Sequence, residues 1–348
     1  MKVLVLNNAA PFIRGGAEEL ADELVRRLNR TKGIEAELLR VPFRWEPADC
    51  ILTEILLNQN LRLYDVDRTI GLKFPAYLIP HECKVLWLLH QFRQAYDLYE
   101  SGTSHPCSDA HGQQKVVKLV RNADREAFKE CRAIYTNSPV TQTRLQKFNG
   151  IASTVLRPPL LDAERFIGGS YGDYFFAGGR VGPGKRQHLL VEAMQHVRSN
   201  VRLVIAGPLD DESYGDRLQK MVAQHNLAGR VELRFGFHSR DVIAKLVNEA
   251  SACVYLPIDE DSFGYVTMEA FAAAKAVITT SDAGGVLELV HDNETGCVSV
   301  ADAESLALKL DMLSTRQRLA RKMGGAAKLL LDGMGLSWDY TVERLLSD

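Results

Sequence analysis

Apolar residues recur along this chain in two spacings, short unbroken runs and stripes three or four residues apart. The runs at 3–6 and 85–89 predict strands buried on both faces, because a half-solvated strand would alternate. Between them, Ala17, Leu20, Ala21, Leu24, Val25 and Leu28 keep a helical period that ends near Gly33. Residues 35–40 predict a strand, 115–131 a helix, 133–136 a strand and 139–148 a helix. The polar segment 96–112 carries Gly, Ser and Pro and predicts a long functional or mobile loop.

The second half repeats the alternation. Strands are expected at 174–177, 202–206, 231–235, 252–256 and 276–279. Helices are expected at 187–196, 214–225, 239–249, 264–274 and 285–290. Strands alternating with helices imply an α/β chain with parallel sheets covered on both faces. Arg157-Pro158-Pro159 interrupts regular structure, and Gly168-Gly169-Ser170 reads as a linker. The expected division is a first domain over 1–167, a second over 168–330 and a terminal helix in 331–348. Ligands of such sheets bind beyond the carboxyl ends of the strands, where Gly15, His90, Arg180, Phe237 and Asp261 fall.

Composition narrows the class. At 348 residues the chain is long enough for two domains, and 46% hydrophobic residues suffice for real cores. A net charge of −2 gives no general attraction to nucleic acid or to anionic lipid. Cys50, Cys83, Cys107, Cys131, Cys253 and Cys297 are scattered without metal-ligand spacing, which suits a reducing cytoplasm and argues against structural zinc. The apolar run at the N-terminus is too short for a signal peptide, and no segment reaches transmembrane length.

The chemistry concentrates after the strand at 174–177. Gly178-Gly179-Arg180-Val181-Gly182-Pro183-Gly184-Lys185 joins that strand to a helix opening near Gln187. Such a turn gathers backbone N–H groups, a positive helix end and two cations, a combination suited to a diphosphate. Gly179 to Lys185 also fits a Walker A loop, but the metal-holding Ser or Thr is replaced by Arg186, and Pro183 removes an N–H. The alternative pattern is G-R-x-x-x-x-K, in which Arg180 and Lys185 replace a metal as neutralisers of a leaving diphosphate. An ordinary loop with solvated cations is the plain reading of the same residues.

Further motifs carry a resemblance. Asp261-Ser262-Phe263-Gly264 followed by Glu269-Ala270 looks like E-x-F-G-x-x-x-x-E-A. Asp282-Ala283-Gly284-Gly285 with Glu288 matches D-x-G-G-x-x-E, and Gly15-Gly16-Ala17-Glu18 matches an N-terminal glycine loop. With Arg180 and Lys185, these make the chain resemble a retaining glycosyltransferase of family 4, of GT-B architecture with two facing Rossmann-like domains. The second half carries the resemblance more fully than the first. It implies that Arg180 and Lys185 hold the phosphates of a nucleotide-sugar, so that neither metal nor cofactor is needed. Glu269 would meet the ribose, backbone at Phe263 and Gly264 the diphosphate and sugar, and Gly15 and Gly16 the donor from the other side. Phe237 lies in the loop that would read the nucleobase, and His90 would touch the transferred sugar. The chain departs from the family at Asp261, where Glu is usual, and the neighbouring Glu260 is a candidate for its role.

The resemblance implies transfer of a hexose from a UDP- or GDP-sugar to a hydroxyl of a glycan or lipid-linked acceptor, with retention. The expected setting is surface polysaccharide or lipopolysaccharide synthesis in the bacterial cytoplasm. Alternatives are a binding protein of the same fold without transfer, a nucleotide-sugar epimerase and a sugar phosphorylase. Lys115, Lys118, Arg121, Arg125, Lys129 and Arg132 share one helix face, read either as a solvated face or as a peripheral contact with the inner membrane surface. Residues 336–346 read as a core helix or, by the resemblance, as one that returns to the first domain.

Overall fold

The computed structural model describes residues 1–11, 15–47, 50–102 and 110–347. The chain divides into two compact units, Met1–Pro159 with Ser337–Asp348, and Leu160–Leu336. Each is an α/β unit built around a parallel sheet of six strands.

In the first unit, β1 (Lys2–Ala9), α1 (Gly16–Arg30), β2 (Glu35–Pro42), α2 (Cys50–Asn60), β3 (Arg68–Lys73) and β4 (Lys84–His90) come first. Then follow α3 (Asp97–Glu100), α4 (Ala110–Lys129), β5 (Cys131–Thr136), α5 (Pro139–Asn149) and β6 (Thr154–Val155). The strand order is β2-β1-β3-β4-β5-β6. The expected loop over 96–112 is thus interrupted by α3 and by the start of α4; 103–109, including Cys107, lie outside the described residues.

The second unit runs β7 (Tyr174–Gly178), α6 (Gln187–His196), β8 (Arg202–Gly207), α7 (Glu212–Gln224), β9 (Val231–Phe235) and α8 (Arg240–Glu249). It continues with β10 (Ala252–Val254), α9 (Tyr265–Ala272), β11 (Val277–Thr280), β12 (Gly296–Ser299), α10 (Ala303–Thr315) and α11 (Gln317–Gly333). The order is β12-β11-β10-β7-β8-β9. Its unbroken apolar strands serve two cores. Phe175 and Ala177 pack on one face of the sheet, Tyr174 and Phe176 on the other. The segment expected as a helix at 285–290 is only a 3-10 turn, Gly285–Glu288.

Two boundary expectations are corrected. The units part at Pro159/Leu160, and Gly168-Gly169-Ser170 is packed structure of the second unit. A Cβ at Gly168 would stand 2.9 Å from the Ala273 carbonyl oxygen, and Lys275 Nζ donates to the Ser170 carbonyl at 3.0 Å. The glycine there allows close approach; it does not loosen a linker. Residues 331–333 end α11, whereas the last helix, α12 (Trp338–Leu346), belongs to the first unit. Its Trp338 ring meets Trp87 edge-on at 6.5 Å, and its last carbonyls accept from Arg68 and Tyr135.

Candidate functional site

In the second sheet the chain moves outward from β7 to β8 and β9, then returns to place β10 on the other side of β7. The order therefore reverses between β7 and β10, the point at which open α/β sheets bind ligands beyond the carboxyl ends of their strands. The glycine-rich turn 179–185 follows β7, and Tyr255 to Glu260 follow β10.

The turn is rigid. The Val181 N–H donates to Pro208 at 2.8 Å, and the Gly182 N–H to Gln187 Oε1 at 3.2 Å. The Lys185 N–H donates to Gly182 at 2.9 Å and the Arg186 N–H to Pro183 at 3.2 Å. These N–H groups are spent inside the protein, so the expected cradle of backbone donors is not formed by them. Pro183 sets a 3-10 turn that consumes its own donors before α6 begins. What the turn presents is side chains.

Lys185 Nζ donates to the Tyr255 hydroxyl at 3.0 Å and is ion-paired with Glu260. The Tyr255 hydroxyl also donates to Glu260, at 3.0 Å. Burial alone would lower the Lys185 pKa, but Tyr255 and Glu260 outweigh it and hold the ammonium above its ordinary range. Burial, with Glu260 beside it, pushes the Tyr255 hydroxyl up, so it stays protonated. Arg180 is 47% exposed and pairs with Asp210 at 3.1 Å, so its charge faces solvent beside the same turn.

Arg186, the residue that displaces the Walker hydroxyl, is buried. Its guanidinium grips both Asp282 oxygens at 2.7 and 2.8 Å, Thr280 at 2.7 Å, and the carbonyls of Leu256 and Pro257 at 2.9 Å. Its hydrogen bond holds the Asp282 carboxyl below the usual range. Arg186 is therefore an internal clamp that ties the loops after β7, β10 and β11 into one floor. The Asp-x-Gly-Gly motif completes that floor. Gly284 sits at φ +63°, and a Cβ there would stand 2.5 Å from the Glu260 nitrogen. The Gly285 N–H donates to the Glu260 carbonyl at 2.8 Å, which fixes the backbone of the acid that faces Lys185.

The remaining sequence candidates are placed as follows. Asp261 and Ser262 are half-buried, and Phe263 is a core residue at 1% exposure. Gly264 caps α9 at φ +71° and packs against Tyr255. Glu269 is buried on α9 and accepts from Arg240 Nη1 at 2.6 Å; Arg240 also donates to the Leu161 carbonyl at 3.2 Å. Phe237 is 72% exposed, yet the residues flanking it are anchored by Gly236 N–H to Gly207 at 3.0 Å and His238 to the Arg234 carbonyl at 3.0 Å. The structure thus joins Lys185, Glu260 and Tyr255, and pairs Arg180 with Asp210 and Glu269 with Arg240. Gly15, Gly16 and His90 belong to the first unit. There the Gly15 N–H donates to Glu18 at 2.9 Å, and His90 Nδ1 bonds the Gln91 carbonyl at 2.7 Å.

Sequence reasoning missed Tyr255, Asp210 and Arg240. The available signal for Tyr255 was its place just past a strand at the reversal point; the other two carried none. Residues 165–330 match the family described as Glycosyl transferases group 1. The chain is 31% identical over 167 residues to the alpha-maltose-1-phosphate synthase of Mycobacterium tuberculosis, covering 45% of this chain and 42% of that protein. It thus spans about two fifths of that relative. The fold is that of HepE from Anabaena in complex with UDP and glucose, with a TM-score of 0.73, 15% identity and 99% and 98% of the two chains covered. It is also that of WaaG, a glycosyltransferase involved in lipopolysaccharide biosynthesis, with a TM-score of 0.71, 14% identity and both chains covered at 100%. The two six-stranded units together therefore have the GT-B fold. Among the described residues no helix is long and apolar enough to cross a membrane.

Proposed function

We propose that this chain transfers a hexose from a nucleoside diphosphate sugar, a UDP- or GDP-sugar, to a hydroxyl of a glycan or lipid-linked acceptor, with retention. The observation that carries the reading is the Lys185–Tyr255–Glu260 cluster beside Arg180, at the reversal point of a sheet within a group 1 domain. An ammonium and a guanidinium at that point suit the two phosphates of a donor. They also stabilise charge as it grows on the departing diphosphate, which is where preorganised cations accelerate a reaction most. The departing phosphate would take the acceptor's proton on the face that the acceptor attacks. Phe237, between two anchored neighbours, offers an exposed ring against which a base can stack. Glu269 would exchange Arg240 for the ribose hydroxyls. With two cations serving the phosphates, the reaction needs no metal, and its rate is expected to survive EDTA. Surface polysaccharide or lipopolysaccharide synthesis is the setting we propose, with peripheral contact at the inner membrane face.

The test is a thermal-shift screen of UDP, GDP and ADP, followed by release of nucleoside diphosphate from the matching sugar donor with and without acceptor glycans. A ligand bound to the native state raises the melting temperature. Arg180→Ala and Lys185→Ala should each add about 2–4 kcal/mol to the barrier, as loss of one preorganised donor does. Loss confined to KM with kcat intact would overturn the assigned role. Binding of the nucleotide without acceptor-dependent release would favour a binding protein.

A further inference from the structure

The segment by which the chain enters the second unit, 160–168, is held along one helix, α8. Asp241 pairs with Arg165. The Asn248 side chain donates to the Arg165 carbonyl at 2.8 Å and accepts from the Gly168 N–H at 3.0 Å. Arg240, the first residue of α8, donates to the Leu161 carbonyl at 3.2 Å and lies 3.7 Å from Asp162 Oδ2. Its guanidinium also stands over the Phe166 ring, 5.1 Å from the centroid.

Arg240 differs from Asp241 and Asn248 in reaching a second place. Its Nη1 donates to Glu269 Oε1 at 2.6 Å, and Glu269 is the acid assigned above to the ribose. One guanidinium thus touches both the proposed partner of the nucleoside and the first residues of the unit. The helix itself gives no reason for a cation there, since positive charge in a first turn opposes the helix dipole. Glu269 is 4% exposed, and a carboxylate so buried needs a partner. It can only accept, so ribose hydroxyls that donate to it compete with Arg240 for the same oxygens. A guanidinium that gives up Glu269 keeps its charge, and Asp162 is a carboxylate already beside it.

We infer that Arg240 is a positioning residue that couples ribose at Glu269 to the segment 160–168, trading Glu269 for Asp162 when the ribose hydroxyls arrive. The inference rests on the reading of Glu269 as the ribose partner. Coupling of this kind is reciprocal. If the ribose drives Arg240 onto Asp162, the Asp162 charge in turn favours binding of the ribonucleotide. A nucleotide without ribose hydroxyls leaves Arg240 where it is and gains nothing from Asp162.

The test uses the full-length chain with UDP and GDP, each compared with its 2′,3′-dideoxy form at saturating concentration. Hydrogen exchange of residues 160–168 is read by mass spectrometry, and affinity by isothermal titration. The ribonucleotide that binds should slow exchange of the segment by about fivefold, the low end of usual site-to-site coupling, and its dideoxy form should not. Asp162→Asn removes the charge, and Asn tolerates the left-handed backbone at φ +47° as Asp does. This variant should bind the ribonucleotide about fivefold more weakly, with its affinity for the dideoxy form unchanged. A merely structural role for Asp162 would move both affinities alike. Arg240→Gln lacks the charge that moves, so the ribonucleotide should no longer slow exchange of 160–168 in it. Failure of both ribonucleotides to bind, or a dideoxy form that binds as tightly, overturns the reading of Glu269 and the inference with it. A ribonucleotide that binds more tightly than its dideoxy form, yet slows 160–168 no more than that form does, leaves the reading of Glu269 and overturns the inference. Equal loss of both affinities in Asp162→Asn does the same.

Discussion

At the scale of single residues, the site is a set of charges already answered by carboxylates. Lys185 is paired with Glu260, Arg180 with Asp210, and Arg240 with Glu269. A bound diphosphate must take the place of Glu260 on Lys185, so the two anions compete for one ammonium. Glu260→Gln should therefore tighten UDP or GDP binding, by about fivefold, the low end of usual site-to-site coupling. Asp261→Asn should leave that binding as it is. Isothermal titration with both variants decides the matter. If Glu260→Gln weakens binding, the acid holds Lys185 in position and does not compete. Arg180, Lys185 and the acids near 260 were legible because their motif spacing is preserved. Arg186 was legible only as a missing hydroxyl. That it clamps three loops depends on residues 70 to 96 positions away, which no local pattern reveals.

At the scale of elements, β7, β8, β10 and β11 announced themselves because both their faces are buried; β9 was read although only partly buried, and β12 was not expected. The helix α2 and strand β3 were not expected either. Cys50–Asn60 is apolar on both sides, with Ile51 and Ile55 in the core and Leu52, Leu56 and Leu57 exposed, so it shows no period. The helix α4 was read from its basic outer face, while its inward Asp124 passed unnoticed. Burial, the largest influence, lifts the Asp124 carboxyl from 3.8 to about 7, against the opposing hydrogen bonds of Tyr96 and Tyr77. The folded form therefore binds this proton more tightly than the unfolded chain. Asp124 contributes most to stability below the unfolded pKa, and that contribution is lost as pH rises to about 7. Arg121, which lies over the Tyr96 ring at 5.2 Å, and Cys131 are the other titratable groups near the tyrosines. Asp124→Asn should gain stability relative to wild type between pH 5 and 8, by up to about 1.4 kcal/mol per unit crossed. Denaturant titrations at both pH values measure this, and equal differences would show that Asp124 does not titrate there.

At the scale of the whole chain, the two units are not two consecutive segments. Residues 160–336 close on themselves, whereas the first unit needs Ser337–Asp348. Trp338, Thr341, Val342 and Leu345 bury one face of α12 within it. Arg68 Nη1 donates to the Leu345 carbonyl at 3.0 Å, and the Tyr135 hydroxyl to Arg344 at 3.0 Å. The amphipathic spacing of 338–346 was legible, but periodicity says which face is buried and not against what; return to the first unit was offered only by the resemblance, beside the reading as a core helix. Removing 337–348 exposes Trp87 and leaves the Arg68 and Tyr135 donors without those carbonyls. Loss of a buried tryptophan contact alone costs about 3–5 kcal/mol. The two cores should then separate in calorimetry. The transition of the first unit should move to lower temperature, and that of 160–336 should stay, along with its binding of UDP or GDP. If both transitions fall together, the second unit does not fold independently of the first. If neither moves, α12 adds little to the first core despite its buried face.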